Sequence, residues 1–403
     1  MKLANSHISY CTNIHSGESW KDHFDQLKQH IPSIKASIAN DQEFGIGLRL
    51  SAQAAGELLK PDNLSAFKQW MTENNLYVFT MNGFPYGDFH LKRVKDKVHF
   101  PDWTTKERFQ YTIRLIEILK SLLPEKGEGG ISTSPLSYRY WFVEGTEEWD
   151  MMREQCTNHI IQIAEYLYRV EVSTGKHIHL DIEPEPDGVL EDCKEFISWY
   201  SEELLPKAIS YFKDKLRLDE EQVKAIVNRY ICICYDVCHF ALEYEDHAQC
   251  MEDLKQEGIN IGKFQVSAAL KVELNDDVSD REVKNQLLRQ FDEPIYLHQV
   301  IAKKSDNTLV KFRDLPDALP YIMELDHQEW RSHFHVPIFL ANYGVISSTQ
   351  SDILEVIALH KKNHSTNHIE VETYTWAVLP SELQAPIQDS IIRELDWLIS
   401  NLK

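Results

Sequence analysis

Three carboxylates, Glu183, Asp236 and Glu372, each close a short apolar run in a chain of 403 residues, and that is where chemistry would sit. Buried together, they could not all stay ionised without a compensating cation, because desolvation and mutual repulsion raise carboxyl pKa values. A divalent metal meets that need. Oxygen ligands with one or two nitrogens suit Mn, Zn, Mg, Co or Fe. The nitrogens on offer are His239 in an Asp-x-x-His run, His298, and His333 with His335 in His-Phe-His. Gln265 also closes an apolar run, and its amide could present a carbonyl ligand or sit as a satisfied inward group. With a metal between them, Glu183 and Glu372 could remove and return a proton on a hydroxy-carbonyl compound. The competing reading of the carboxylates is salt bridging or solvent exposure. Cys232, Cys234 and Cys238 suit core packing better than a thiolate site.

These groups need a scaffold that gathers the ends of separate strands. The chain alternates short β-like runs with long amphipathic helical runs, which predicts parallel strands and crossover helices in an α/β fold. Strands are expected over Ile8–Asn13, Phe44–Ser51, Leu76–Asn82, Ile131–Ser134, Ile178–Glu183, Tyr230–Asp236, Gly262–Val266 and Ile369–Tyr374. Helices are expected over 20–38, 104–123 with Asp102 as N-cap, 147–173 and 386–402. Eight such units favour a closed (β/α)₈ TIM barrel, whose active site lies at the C-terminal ends of its strands. A stretch of about 275–335, after the seventh strand, breaks the rhythm. Its runs Tyr296–Val300, Val310–Arg313 and His333–Leu340 read as an insertion of hairpin character within a single domain spanning 1–403. Besides the carboxylates, strand ends carry His15, Arg49 and Asn82, expected with Glu185 and His239 to bind substrate. The loop Gly83–Trp103 is long enough to cover the barrel mouth, with Tyr86 and His90 holding the ligand.

Composition narrows the function classes. With 42 Lys+Arg against 63 Asp+Glu, the net charge of -21 repels phosphate backbones and anionic membranes, so no nucleic-acid partner is expected. A small-molecule metabolite is. No run of about 18 apolar residues occurs, which argues against direct membrane insertion. The N-terminus lacks a secretory pattern, and the seven cysteines are an odd number without scaffold spacing, so the expected address is the reducing cytoplasm. No G-x-G-x-x-G turn follows the first strand, which removes the main support for a nucleotide-binding sheet.

Six stretches carry a resemblance: TNIHSGESW (Thr12–Trp20), MNGFPYGDFH (Met81–His90) with VKDKVHFPDWTT (Val94–Thr105), HLDIEPEPDG (His179–Gly188), CYDVCHFA (Cys234–Ala241), HFHVPIF (His333–Phe339) and ETYTWAVLP (Glu372–Pro380). Together they resemble the EboE metabolite traffic family, within the xylose isomerase-like barrels that include sugar phosphate isomerases/epimerases and AP endonuclease family 2. The resemblance implies a metal held by Glu183, Asp236 and Glu372. At the seventh strand Gln265 stands where a His is expected, so Gln265 itself, His333 or His335 supplies the remaining ligand. It also implies work on a metabolite precursor bound for export, alongside other proteins of the same operon. Two functions follow as expectations: a metal-dependent isomerase or epimerase, or a non-catalytic barrel that binds and hands on a metabolite.

Overall fold

The computed structural model describes residues 1–3, 5–87, 94–375 and 385–403. Eight parallel strands form the barrel: β1 (Ser6–Tyr10), β2 (Phe44–Arg49), β3 (Leu76–Asn82), β4 (Glu128–Thr133), β5 (His177–Ile182), β6 (Ile231–Asp236), β7 (Ile261–Val266) and, closing the circuit, the strand His368–Val371. Consecutive strands pair from β2 to β7, and His368–Val371 lies between β7 and β1. The two-residue strand Lys2–Leu3 adds an antiparallel edge beside β1. Between β1 and β2 the seam is held by a Cys11–Gly47 bridge and by the Ser9 hydroxyl, which donates to Gly45 O and accepts from Gly47 N, both at 2.8 Å. This is the (β/α)₈ architecture that the alternation predicts.

The expected elements recur with small shifts. The first helix runs Trp20–Ile38, its N-cap Ser19 accepting from Asp22 N. The next long helix is Lys106–Leu122, capped by Thr105, while Asp102 binds the Thr104 and Ser137 hydroxyls instead of serving as the cap. Long helices at Glu147–Thr174 and Ile387–Leu402 bury apolar stripes such as Ile160, Ala164 and Leu167 against the strands.

The interior departs from the branched apolar layers usual in such barrels. Lys263 and Glu370 are fully buried there, with Nζ 2.6 Å from the Glu370 carboxylate and 3.0 Å from Ser132 Oγ. All seven cysteines are buried and none forms a disulfide.

Immediately after β7 the chain enters a second, antiparallel sheet: β8 (Ala268–Glu273), β9 (Val300–Lys304), β10 (Leu309–Phe312), β11 (His327–Val336), β12 (Asn342–Tyr343) and β13 (Ile346–Ser348), in the order β10-β9-β11-β8-β13-β12. The final barrel strand is then β14 (His368–Val371). Of the run Tyr296–Val300 only Val300 belongs to a strand, as the first residue of β9. Glu293 accepts from Ile295 N and Tyr296 N, and Asp314 accepts from His298 N, so side chains take the donors a ladder would need. The His-Phe-His strand begins and ends earlier than expected, and the register of β11 against β8 shifts between Ser332 and Val336. That irregularity lies at His333 and His335. Among the described residues no helix is long and apolar enough to cross a membrane.

Candidate metal centre and proton-transfer site

β5 ends at Ile182, so Glu183 is the first residue beyond it, and Glu372 stands in the same relation to β14. Asp236 is the last residue of β6 and also the N-cap of the helix Val237–Leu242, accepting from Cys238 N at 2.8 Å and His239 N at 3.3 Å. The cap explains the Asp-x-x-His spacing: one helical turn brings His239 back over the carboxylate it follows.

The three carboxylates meet at one atom. Gln265 Nε2, at the end of β7, lies 2.8 Å from Glu183 Oε1, 3.1 Å from Asp236 Oδ2 and 2.7 Å from Glu372 Oε2. An amide has two protons for these three acceptors. The Cys234 thiol, 3.2 Å from Gln265 Oε1, holds the amide with its nitrogen toward the acids. As it stands, Gln265 bridges the acids through hydrogen bonds, and it would ligate a cation only with the amide turned over.

Three histidines adjoin the acids, with His239 Nδ1 3.9 Å from Glu183 Oε1 and His335 Nε2 4.0 Å from Asp236 Oδ2. His239 Nδ1 is 2.9 Å from Pro184 O, His333 Nδ1 is 2.8 Å from Gln299 Oε1, and His335 Nδ1 is 2.9 Å from Glu372 O. Each acceptor is an oxygen, so each ring donates through Nδ1 and keeps its Nε2 lone pair free. Nε2 of His333 and of His335 are 3.3 Å apart. Ligand atoms of Glu185, His239 and His333 fall within 4.8 Å of one another, as do those of Cys238, His333 and His335. Outer hydrogen bonds that orient metal-binding histidines have this form.

Electrostatics describes the same need. Burial, then the Asp236 charge, pushes the Glu183 carboxyl well above its ordinary range. Glu372 is raised by burial and then by Glu183 and Asp236, and Glu185 by burial and then by Asp236. For Asp236, burial opposes ionisation, but His239, His335 and the hydrogen bonds of Ser267 and Gln265 outweigh it and keep the group low. Burial pushes His335 down to about 4 and His333 well below the usual imidazole value. Glu183 Oε2 and Glu185 Oε2 are buried without hydrogen-bond partners. Oxygen and imidazole donors, orphaned carboxylate atoms and fixed tautomers fit a divalent cation.

The remaining expected residues divide. Asn82 Nδ2 donates to Glu372 Oε1 at 2.7 Å, joined there by Asn13 Nδ2 at 2.8 Å. Glu185 and His239 belong to the cluster. Arg49 reaches Pro85 O and Gly87 O and so secures the loop after β3. Tyr86 packs edge-on to Tyr111 at 5.1 Å. His15 hydrogen-bonds Tyr10 OH at 2.9 Å and stacks on His30 at 4.7 Å, on the helix side of the barrel wall. His298 pairs with Glu293 at 2.7 Å. His90 lies outside the described residues. Two contributors carried no periodic signal in the sequence: His99, with Nε2 3.5 Å from Glu185 Oε2, and Gln299, which fixes the His333 tautomer.

No protein-family model and no curated protein sequence matches the chain. Solved structures do. A xylose isomerase-like TIM barrel protein from Mycobacterium smegmatis, in complex with magnesium, superposes with a TM-score of 0.51 at 8% identity, over 98% of this chain and 96% of that one. An IOLI protein with a bound zinc atom aligns over 98% of both chains at 10% identity and a TM-score of 0.47. D-psicose 3-epimerase crystallised with D-fructose aligns over 98% of this chain and 99% of its own, at 11% identity and a TM-score of 0.47. The first of these likenesses bears out the TIM-barrel fold; identities this low speak to fold alone.

Proposed function

We propose that the chain is a metal-dependent enzyme of isomerase or epimerase type that moves a proton on a small hydroxylated metabolite. The observation that carries the reading is the convergence of Glu183, Asp236 and Glu372 on one point, Gln265 Nε2, at 2.7 to 3.1 Å. Glu183, Asp236 and Glu372 would hold the cation, with nitrogens from His239, His333 and His335. When bound, the cation would polarise substrate oxygens and stabilise negative charge that develops on them.

The chain's own groups supply the proton chemistry. Glu183 Oε2 has no hydrogen-bond partner and can accept a proton from a substrate carbon. Glu372 is oriented by Asn13 and Asn82 on Oε1, which aims Oε2 toward Glu183's side of the mouth. Burial raises both carboxyls above their ordinary range, which makes their carboxylates stronger proton acceptors. The second sheet brings His333 and His335 to the same place.

A second reading, a barrel that binds and passes on a metabolite without chemistry, draws on one observation: the Gln265 amide already bridges all three acids. The motif resemblance to the EboE family adds a setting, a precursor handled before export with other proteins of its operon; since no family model matches, that setting rests on the motifs. One experiment separates the readings. A compound retained by the protein from cell extract is incubated with it in heavy water. Deuterium appearing on a substrate carbon, and lost with Glu372→Gln, supports the enzyme; a tightly retained compound that never exchanges supports the carrier.

A further inference from the structure

The opposite end of the barrel carries a second group of ligating side chains that the mouth does not use. His179 and His368 face inward four residues before Glu183 and Glu372 on β5 and β14, about 13 Å down the barrel at 3.3 Å per residue. His179 Nδ1 is 2.5 Å from Asp181 Oδ1, and both residues are buried. Glycines make room for this pair. A Cβ at Gly262 would stand 1.9 Å from Asp181 Oδ1, and one at Gly130 would stand 2.6 Å from Asp181 Oδ2 and 2.5 Å from His179 Cε1.

The Asp181 hydrogen bond holds the His179 ring through Nδ1 and leaves Nε2 facing Glu128, 3.8 Å from its Oε1. Glu128 is steadied by Asn367 Nδ2, 3.1 and 3.0 Å from its two oxygens. His368 stacks on His179 with centroids 5.2 Å apart, is 1% exposed, and neither of its ring nitrogens has a hydrogen-bond partner. Leaving a buried polar group unpaired costs about 1–3 kcal/mol. Ligand atoms of Glu128, His179 and His368 lie within 4.8 Å of one another, and a cavity of about 520 Å³ is lined by Glu128, His179 and Cys232.

We propose that Glu128, His179 and His368 form a second metal site, for a divalent transition cation of the zinc class, at the N-terminal end of the barrel. Two imidazoles and one carboxylate make a three-residue zinc set, with solvent from the cavity as the fourth ligand. Asp181 takes the outer position, the carboxylate that orients a ligating histidine. The ligands come from β4, β5 and β14, so the ion ties strands from both sides of the barrel. The site stands independently of the mouth, and either can fail without the other.

The test is zinc titration of the full-length protein after chelation, with circular dichroism to verify the fold. In a His333→Asn/His335→Asn background, which disables the mouth histidines, adding His368→Asn should remove about one zinc equivalent. Glu128→Gln, on the half-exposed rim, should weaken the same equivalent by about tenfold or more. Cobalt in place of zinc should give a tetrahedral absorption band that His368→Asn abolishes. A folded His368→Asn protein with unchanged stoichiometry, or an unchanged affinity in Glu128→Gln, would overturn the proposal. If His368→Asn does not fold, the Glu128→Gln result decides.

Discussion

His333 Nε2 and His335 Nε2 face each other across 3.3 Å, each on a ring whose Nδ1 proton is already committed to an oxygen. Two lone pairs at that distance repel, and burial holds both rings away from protonation. A cation shared with Glu185, Asp236 or Glu372 resolves the conflict. Each His→Asn change at these two positions should therefore weaken divalent metal binding by about tenfold or more and leave the fold intact, as read by titration calorimetry and circular dichroism.

Glu372→Gln separates charge from shape. The amide carbonyl still accepts from Asn13 and Asn82, while its NH₂ takes the place of the oxygen bonded to Gln265 Nε2, so Gln265 keeps Glu183 and Asp236 as acceptors for its two protons. Because the carboxyl is held well above its ordinary range by burial and then by Glu183 and Asp236, losing it relieves repulsion. The metal-free variant should melt no lower than the parent, while turnover falls by about 10²-fold or more. A large drop in melting temperature with turnover preserved would reverse the assignment.

The buried Lys263–Glu370 pair, at 2.6 Å and closed to solvent, invites a paired substitution. Lys263→Met strands a buried carboxylate and should cost about 3–5 kcal/mol in urea unfolding. Adding Glu370→Leu should return most of that, because both charges are then gone. Equal losses in the single and double variants would mean that packing, not charge, governs the layer.

The barrel was legible in the sequence because strands and helices announce themselves by period: Phe44, Ile46 and Leu48 alternate with Gly45, Gly47 and Arg49, and Trp20, Phe24, Leu27, Ile31 and Ile34 recur at helical spacing in the helix before them. Glu183, Asp236 and Glu372 were legible because each closes an alternating run. The nearness of His333 and His335 to those acids was not, since it depends on how β11 pairs with β8 and β9 in a sheet without barrel rhythm. His99 lies in a loop, where no periodicity points inward. Pro184 O and Glu372 O, which fix two tautomers, are backbone atoms that side-chain chemistry cannot reveal. His179 and His368 sit at the beginnings of their strands, the end where a barrel is expected to hold stability and not chemistry.

Buried acids away from the mouth set the pH response. Burial pushes Glu394 up to about 8, and burial with the Glu191 charge pushes Glu243 to about 8. Between its unfolded value and its folded one, such a group is protonated only in the folded state, so stability falls as pH rises, by about 1.4 kcal/mol per pH unit for each. Below about 6.5 the buried neutral histidines act in the opposite direction, which makes 6.5 to 8 the informative window. Chemical denaturation across that window should show falling stability, and Glu394→Gln should flatten the slope. A slope that is flat or rising in the parent would contradict these placements.

The central claim is that the barrel mouth binds a divalent cation, and thermal unfolding of chelated protein with and without Mn²⁺ or Zn²⁺ tests it most directly. The measurement belongs in the His368→Asn background, so that the lower site does not contribute. At a cation concentration 100 times the dissociation constant, stabilisation of about 2.7 kcal/mol is expected. Asp236→Asn with His335→Asn should abolish it. A melting temperature unmoved by any divalent ion in the folded His368→Asn protein would contradict the account.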